Sequence, residues 1–184
     1  MTAEELGQLF PVVIEEYQRA WAELYRAEEK RIAEAFALRE IEQIDHIGST
    51  AVPGLKAKPT IDILLQISEC LELQKLESTF QSLGFQVNHR PENPPPHLTF
   101  VKGYSVRGFE GQAYHVHVRY RGDWDEIRFR DYLMQHSDAA TAYEALKLQL
   151  AEKYKNDREA YTEGKSEFIG KVMKLAGKPE TKII

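Results

Sequence analysis

The first part of the chain repeats apolar residues at helical spacing. Val13, Tyr17, Trp21, Leu24, Tyr25, Ile32 and Phe36 fall on one face, while Glu, Lys and Arg fill the other. The spacing predicts a long N-terminal helix over residues 12 to about 40, packed against a sheet or a partner. The pattern then shortens. Ile41, Ile44 and Ile47 precede Gly48 and predict a strand over 42–47. The run TIDILLQI, 60–67, is apolar at nearly every position and holds one acid, as expected for a buried central strand. A helix over 71–83 is stopped by Gly84, and FQVNH, 85–89, predicts a short strand.

RPENPPP, 90–96, is excluded from helix, because proline fixes φ and lacks an N–H. Alternation returns in 97–103 and 113–120, two predicted strands joined by the glycine-containing GYSVRGFEG. From Asp123 the period is helical again, with helices predicted over 124–136, 138–154 and 158–176, and with Ser137 and Asp138 as N-caps. The order is helix, strand, strand, helix, strands, helices. It predicts an α+β (mixed α/β) fold in one domain, 1–176, with a helical part over about 124–176 and a loose tail, 177–184. The regular βαβ alternation of a dinucleotide-binding fold is absent.

Composition narrows the function classes. With 184 residues and 42% hydrophobic content, the chain can bury a real core. Its formal net charge of −5 argues against a nucleic-acid partner, yet a small anion needs only a local basic pocket. Cys70 is the single cysteine, so an internal disulfide and a cysteine-rich zinc site are excluded, and a reducing compartment fits. The start MTAEELGQ lacks a basic region followed by an apolar one, and no apolar run approaches the roughly 20 residues of a membrane span. A cytoplasmic protein without a membrane partner is expected.

The candidate chemistry begins at Gly48 and Ser49, directly after a strand. Glycine lets an anion approach the backbone, and consecutive N–H groups with a serine hydroxyl can hold phosphate. Asp62 lies among Ile61, Ile63 and Leu64, where a carboxylate needs a partner or a cation. A simple turn, with Asp62 paired to Lys58, is the alternative. His115 and His117 alternate on one face of a strand, with Arg119 beyond them. Asp62 with His117, joined by His115 or His46, can bind one transition metal, while half-exposed hydrogen-bonded histidines give the same pattern. Lys58, Arg119 and Arg130 are the candidate phosphate contacts.

HIGSTAVPGLKAKPTIDIL resembles the signature of the GrpB family, placed in the nucleotidyltransferase superfamily of the DNA polymerase beta type. KGYSVRGF, HVHVRYRGDWDEIRFRDYL and DREAYTEGKSEFI extend the resemblance over nearly the whole chain. It implies a nucleotidyltransferase-type sheet. It implies transfer of a nucleoside monophosphate from an NTP to a small-molecule or protein hydroxyl, with a divalent metal as cofactor, Mg or Mn, or Zn. Gly48, Ser49 and Thr50 would form the phosphate loop, and Asp62 would be the first metal ligand. His117 is the candidate base. By analogy, Tyr161 and Lys165, four apart on the last predicted helix, would touch the triphosphate. The sequence departs from the superfamily at Leu64, where a second carboxylate is expected two residues after Asp62. The departure leaves two alternatives: a catalytically inactive nucleotide- or phosphometabolite-binding protein, or a metal-dependent hydrolase at an Asp/His site.

Overall fold

The computed structural model describes residues 3–177, so the predicted tail lies outside the described residues apart from Gly177. The elements in chain order are α1 (Ala3–Leu9), α2 (Ala20–Glu34), β1 (Ile41–Ile47), β2 (Thr60–Ile67), α3 (Leu73–Ser82), β3 (Gln86–His89), β4 (Leu98–Ser105), β5 (Gly108–Tyr120), α4 (Asp125–Gln135), α5 (Ser137–Lys153), α6 (Arg158–Glu163) and α7 (Ser166–Ala176). The strands form one mixed sheet in the order β1-β2-β5-β4-β3. Only β2 and β5 run parallel; the other neighbours are antiparallel.

The long N-terminal helix is corrected: α2 covers only 20–34. Val12, Val13 and Ile14 form a β-branched run after Pro11, and such residues lose side-chain freedom in a helix. Tertiary bonding draws this segment out straight. Glu15 and Ala57 exchange backbone hydrogen bonds of 2.8 and 3.0 Å, and the Val12 N–H donates to the Lys155 carbonyl at 2.7 Å. The predicted helix over 158–176 is also corrected, because α6 ends at Glu163 and α7 starts at Ser166. A Cβ at Gly164 would sit 2.5 Å from Leu150 Cδ2, so the Leu150 side chain of α5 packs closely on the break between the two helices. Tyr161 and Lys165 therefore do not share a helix.

The two faces of β2 divide the labour of the fold. Ile61, Ile63, Leu65 and Ile67 join Trp21 and Ile32 of α2, Leu76 and Phe80 of α3, and Phe100, Val116 and Val118 in the main core. Each fully buried Ile or Leu contributes about 1.5–3 kcal/mol relative to exposure. Thr60, Asp62, Leu64 and Gln66 point to the opposite face, as strand alternation requires. Smaller clusters form there around Leu133 and Tyr143, and around Val12, Leu150 and Tyr161. Among the described residues, no helix is long and apolar enough to cross a membrane.

Candidate functional site

The pairing of β2 with β5 sets Asp62 against His115, and Leu64 against His117, on one sheet face. Asp62 Oδ1 lies 3.2 Å from His115 Nδ1 and 3.6 Å from His117 Nε2. The three donor atoms fall within 4.8 Å of one another. Donors about 2.0–2.1 Å from a tetrahedral ion stand about 3.3 Å apart, so small side-chain adjustments bring this cluster onto one ion. Two imidazoles and a carboxylate suit Zn, Mn or Fe better than Mg. Burial alone would push the Asp62 carboxyl up. Hydrogen bonding and charge from His115 and His117 outweigh it and hold the group well below the usual carboxylate range.

Gly48 makes room for that carboxylate. Its φ of 71° and ψ of −171° suit glycine alone. A Cβ there would stand 2.7 Å from Asp62 Oδ2. Ser49–Ala51 then form a single 3-10 turn. The Thr50 hydroxyl donates to the Thr60 carbonyl at 3.0 Å, so it accepts from His46 Nε2, also at 3.0 Å. His46 stacks on Tyr25, with ring centroids 4.6 Å apart, and stands outside the Asp62 cluster. Burial pushes its pKa down to about 4.

Asp62 shares an open cleft of about 1690 Å³ with a group of cations, Lys58, Lys147, Arg158 and Lys165. The Lys58 and Lys165 ammonium groups lie 5.7 and 4.7 Å from the centre of the Tyr161 ring. Burial pushes Lys58 down to about 8, aided by repulsion from Arg158 and Lys165. Burial likewise pushes Lys147 down to about 7 and lowers Lys165. It pushes Tyr161 up to about 12. Among the described residues, the three lysines form no salt bridge. Carboxylates, Glu152, Asp157, Glu159 and Glu163 among them, also line the cleft, yet none pairs directly with these three ammonium groups.

The sequence-predicted residues separate into two groups. Ser49, Thr50, Lys58, Asp62, His115, His117, Tyr161 and Lys165 all line the cleft. Gly48 touches Asp62 from behind. Arg119 and Arg130 are not brought to it. Arg119 donates to Glu126 at 3.0 Å and to the Val118 carbonyl at 2.8 Å, and packs on Trp124. Arg130 pairs with Asp131 at 2.8 Å and Asp45 at 3.5 Å, and donates to the His46 carbonyl at 2.8 Å. Both fasten α4 to the sheet. Lys58 is not the ionic partner of Asp62; the two imidazoles are.

Cleft residues that escaped the sequence reading include Tyr104, Lys147 and Arg158. Lys147 had a signal, because it sits four after Tyr143 and three before Leu150 on the apolar stripe of α5. It is 2% exposed, and its ammonium donates to the Lys56 carbonyl.

Comparison with known proteins places this geometry in a family. The family described as GrpB protein matches residues 11–175. A UPF0157 protein of Pseudomonas aeruginosa is 42% identical over 156 residues, covering 84% of this chain; the chain spans 63% of that relative's length. The Glutamate-rich protein GrpB of Alkalihalophilus pseudofirmus is 31% identical over 166 residues, 88% of this chain and 94% of the relative. The crystal structure of conserved protein GrpB from Enterococcus faecalis matches with a TM-score of 0.76 at 31% identity, covering 89% of this chain and 96% of that one. A family match over residues 11–175, joined to a common fold, establishes that the chain belongs to the GrpB family.

Proposed function

We propose that the protein is a metal-dependent nucleotidyltransferase, moving a nucleoside monophosphate from an NTP to a hydroxyl of a small-molecule or protein acceptor. The observation that carries this reading is one cleft lined both by the Asp-His-His cluster and by lysines that form no salt bridge among the described residues. Asp62, His115 and His117 would hold one divalent ion, which supplies Lewis-acid stabilisation of charge on phosphate oxygens. Lys58 and Lys165, with Arg158, would bind the β- and γ-phosphates and neutralise the departing pyrophosphate. Ser49, at the start of its turn, would contact the same chain of phosphates. A bond forms from the acceptor oxygen to the α-phosphorus, the bond from that phosphorus to pyrophosphate breaks, and the acceptor proton is released to water. His117 directs Nε2 at Asp62, so we assign that atom to the metal rather than to the acceptor proton.

Incubation of the full chain with α-labelled NTPs, Mn²⁺ or Mg²⁺ and a metabolite pool tests the reading. Label on an acceptor is expected, and Lys165→Ala is expected to weaken NTP binding about 10–100-fold, the worth of one charge-assisted contact. Tight NTP binding with no transferred label would overturn catalysis. It would leave a nucleotide-sensing protein, which Leu64 favours, since that residue is fully buried where a second carboxylate would stand.

The same cleft predicts a pH dependence. A bound anion favours charged Lys58, whose pKa is pushed down to about 8 in the free protein. Affinity for a triphosphate is therefore highest below pH 8 and falls as pH rises through it, because binding must then recruit a proton. Phosphate itself is fully ionised well above its second pKa of about 6. Calorimetry in two buffers of different ionisation heat, at pH 7 and at pH 9, reads the proton uptake directly. Affinity unchanged between those values would remove Lys58 from the anion site.

A further inference from the structure

Alternation along β4 places Thr99 and Val101 on the histidine face, and Lys102 on the opposite one, where it pairs with Glu28 at 2.6 Å. Tyr104 shares the parity of Lys102 and should follow it to the main core. It does not. The register breaks between Lys102 and Tyr104, with Gly103 at φ 88° and so close to β5 that a Cβ would meet the Gln112 carbonyl oxygen at 2.3 Å. This irregularity turns Tyr104 over to the histidine face, as bulges do beside functional sites. There its hydroxyl lies 2.7 Å from His115 Nε2, and its ring stacks on the imidazole at an interplanar angle of 15°. Phe10 and Phe109 each contact the Tyr104 ring, with centroids 5.4 Å away. The Arg158 guanidinium covers it at 5.6 Å and reaches its hydroxyl at 3.5 Å.

We propose that Tyr104, held in place by Arg158, is the positioning residue of the metal site: it sets the tautomer of His115 that frees Nδ1 for the ion. The inference rests on the metal reading of the Asp62 cluster. His115 turns Nδ1 towards Asp62 and Nε2 towards Tyr104. A neutral imidazole carries one ring proton, so Nδ1 is a ligand only when that proton sits on Nε2. The Tyr104 oxygen accepts it there. Without metal, the reverse arrangement is satisfied too, with Nδ1–H donating to Asp62 and the Tyr104 O–H donating to Nε2. A hydroxyl serves both arrangements, because it donates and accepts; a carbonyl or an ammonium serves only one. Arg158 donates to the hydroxyl oxygen in either case. It also lines the cleft near enough to Lys58 to repel its charge, so one side chain touches on both the imidazole cluster and the lysines. Partners of this kind hold the ring orientation and raise ligand basicity.

The test is Co²⁺ binding to the full chain, followed by visible absorption, in the wild type, Tyr104→Phe and His117→Ala. Phe keeps the ring between Phe10 and Phe109 and removes only the hydroxyl. The expected result is about 10–100-fold weaker Co²⁺ binding by Tyr104→Phe with a shifted absorption band, while the metal-free protein still unfolds cooperatively with a melting temperature only a few degrees lower. Imidazole ¹⁵N shifts with Zn²⁺ bound should place the wild-type His115 proton on Nε2. If Tyr104→Phe binds Co²⁺ as tightly as the wild type, with the same band, the positioning role is overturned while the metal site stands. If the wild type binds no Co²⁺, or His117→Ala binds it equally well, the metal reading falls and this inference falls with it. Metal bound through Nε2 of His115 would also overturn the proposal.

Discussion

Asp62→Asn is expected to abolish tight divalent-metal binding while leaving the fold in place. Oδ1 of this residue stands between His115 Nδ1 and His117 Nε2 and is the only anionic donor of the cluster. Asparagine keeps the shape and loses the charge, so two neutral imidazoles remain. Loss of an outer partner already costs about 10–100-fold in metal affinity, and loss of the anionic ligand should exceed 100-fold. Thermal shift reads this as free energy. At a metal concentration about 100 times Kd the wild type gains about 2.7 kcal/mol, whereas a variant bound 100-fold more weakly gains about 0.4 kcal/mol. Equal stabilisation of both proteins by Mn²⁺ or Zn²⁺ would place the ion elsewhere.

The metal-free variant should also differ in its acid response. The Asp62 carboxyl is held below its ordinary range. The stability this provides is present above the unfolded pKa of about 3.9 and is lost as pH falls below it. Asp62→Asn lacks that acid-side loss at this position, so the difference between the two proteins should shrink on acidification. Urea unfolding at pH 7 and at pH 3 measures both ends.

What could be read from the sequence follows local physics. β2 was legible over its whole length, because five Ile and Leu residues in a run of eight, with one acid among them, fit a strand buried on its core face. Asp62, Gly48 and Ser49 were legible for a related reason: each breaks a local rule that the segment otherwise obeys. His115 and His117 were legible as a same-face pair. Their meeting with Asp62 needed the parallel pairing of β2 and β5, which no local pattern encodes. Arg119 and Arg130 show the opposite failure. A basic residue beside a candidate site looks the same whether it meets phosphate or a carboxylate of its own protein, and here Glu126, Asp45 and Asp131 take them. The extended segment through Glu15 was hidden because helical spacing over 12–40 is satisfied by its residues, and tertiary hydrogen bonds to Ala57 and Lys155 overrule propensity. Tyr104 was hidden for a sharper reason. Alternation assigns it to the wrong face, and only the break at Gly103 corrects it.

Gly48→Ala should damage stability and metal affinity together, and the coupling of the two losses is the informative part. The backbone at Gly48 occupies a region that other residues enter at a cost of about 1–3 kcal/mol. The added methyl would also stand 2.7 Å from Asp62 Oδ2 and 3.3 Å from Asp62 Cγ. Relief of that contact to ordinary separation moves the carboxylate by about 0.7 Å, beyond the roughly 0.5 Å within which a functional group keeps its geometry. Metal affinity should therefore fall by about tenfold or more in a protein that still folds. Gly54→Ala separates the two causes. Gly54 has a φ of 80°, but a Cβ there meets nothing within 4 Å. Its substitution should cost about 1–2 kcal/mol of backbone strain and leave metal binding untouched. Urea unfolding and Co²⁺ titration of both variants decide the matter. If Gly48→Ala lost stability but bound Co²⁺ like the wild type, the glycine would be a turn residue only. If it lost both, the strand-to-turn junction at Gly48 would be what holds Asp62 on its imidazoles, so that the Ser49–Ala51 turn and the Asp62 carboxylate act as one structural unit.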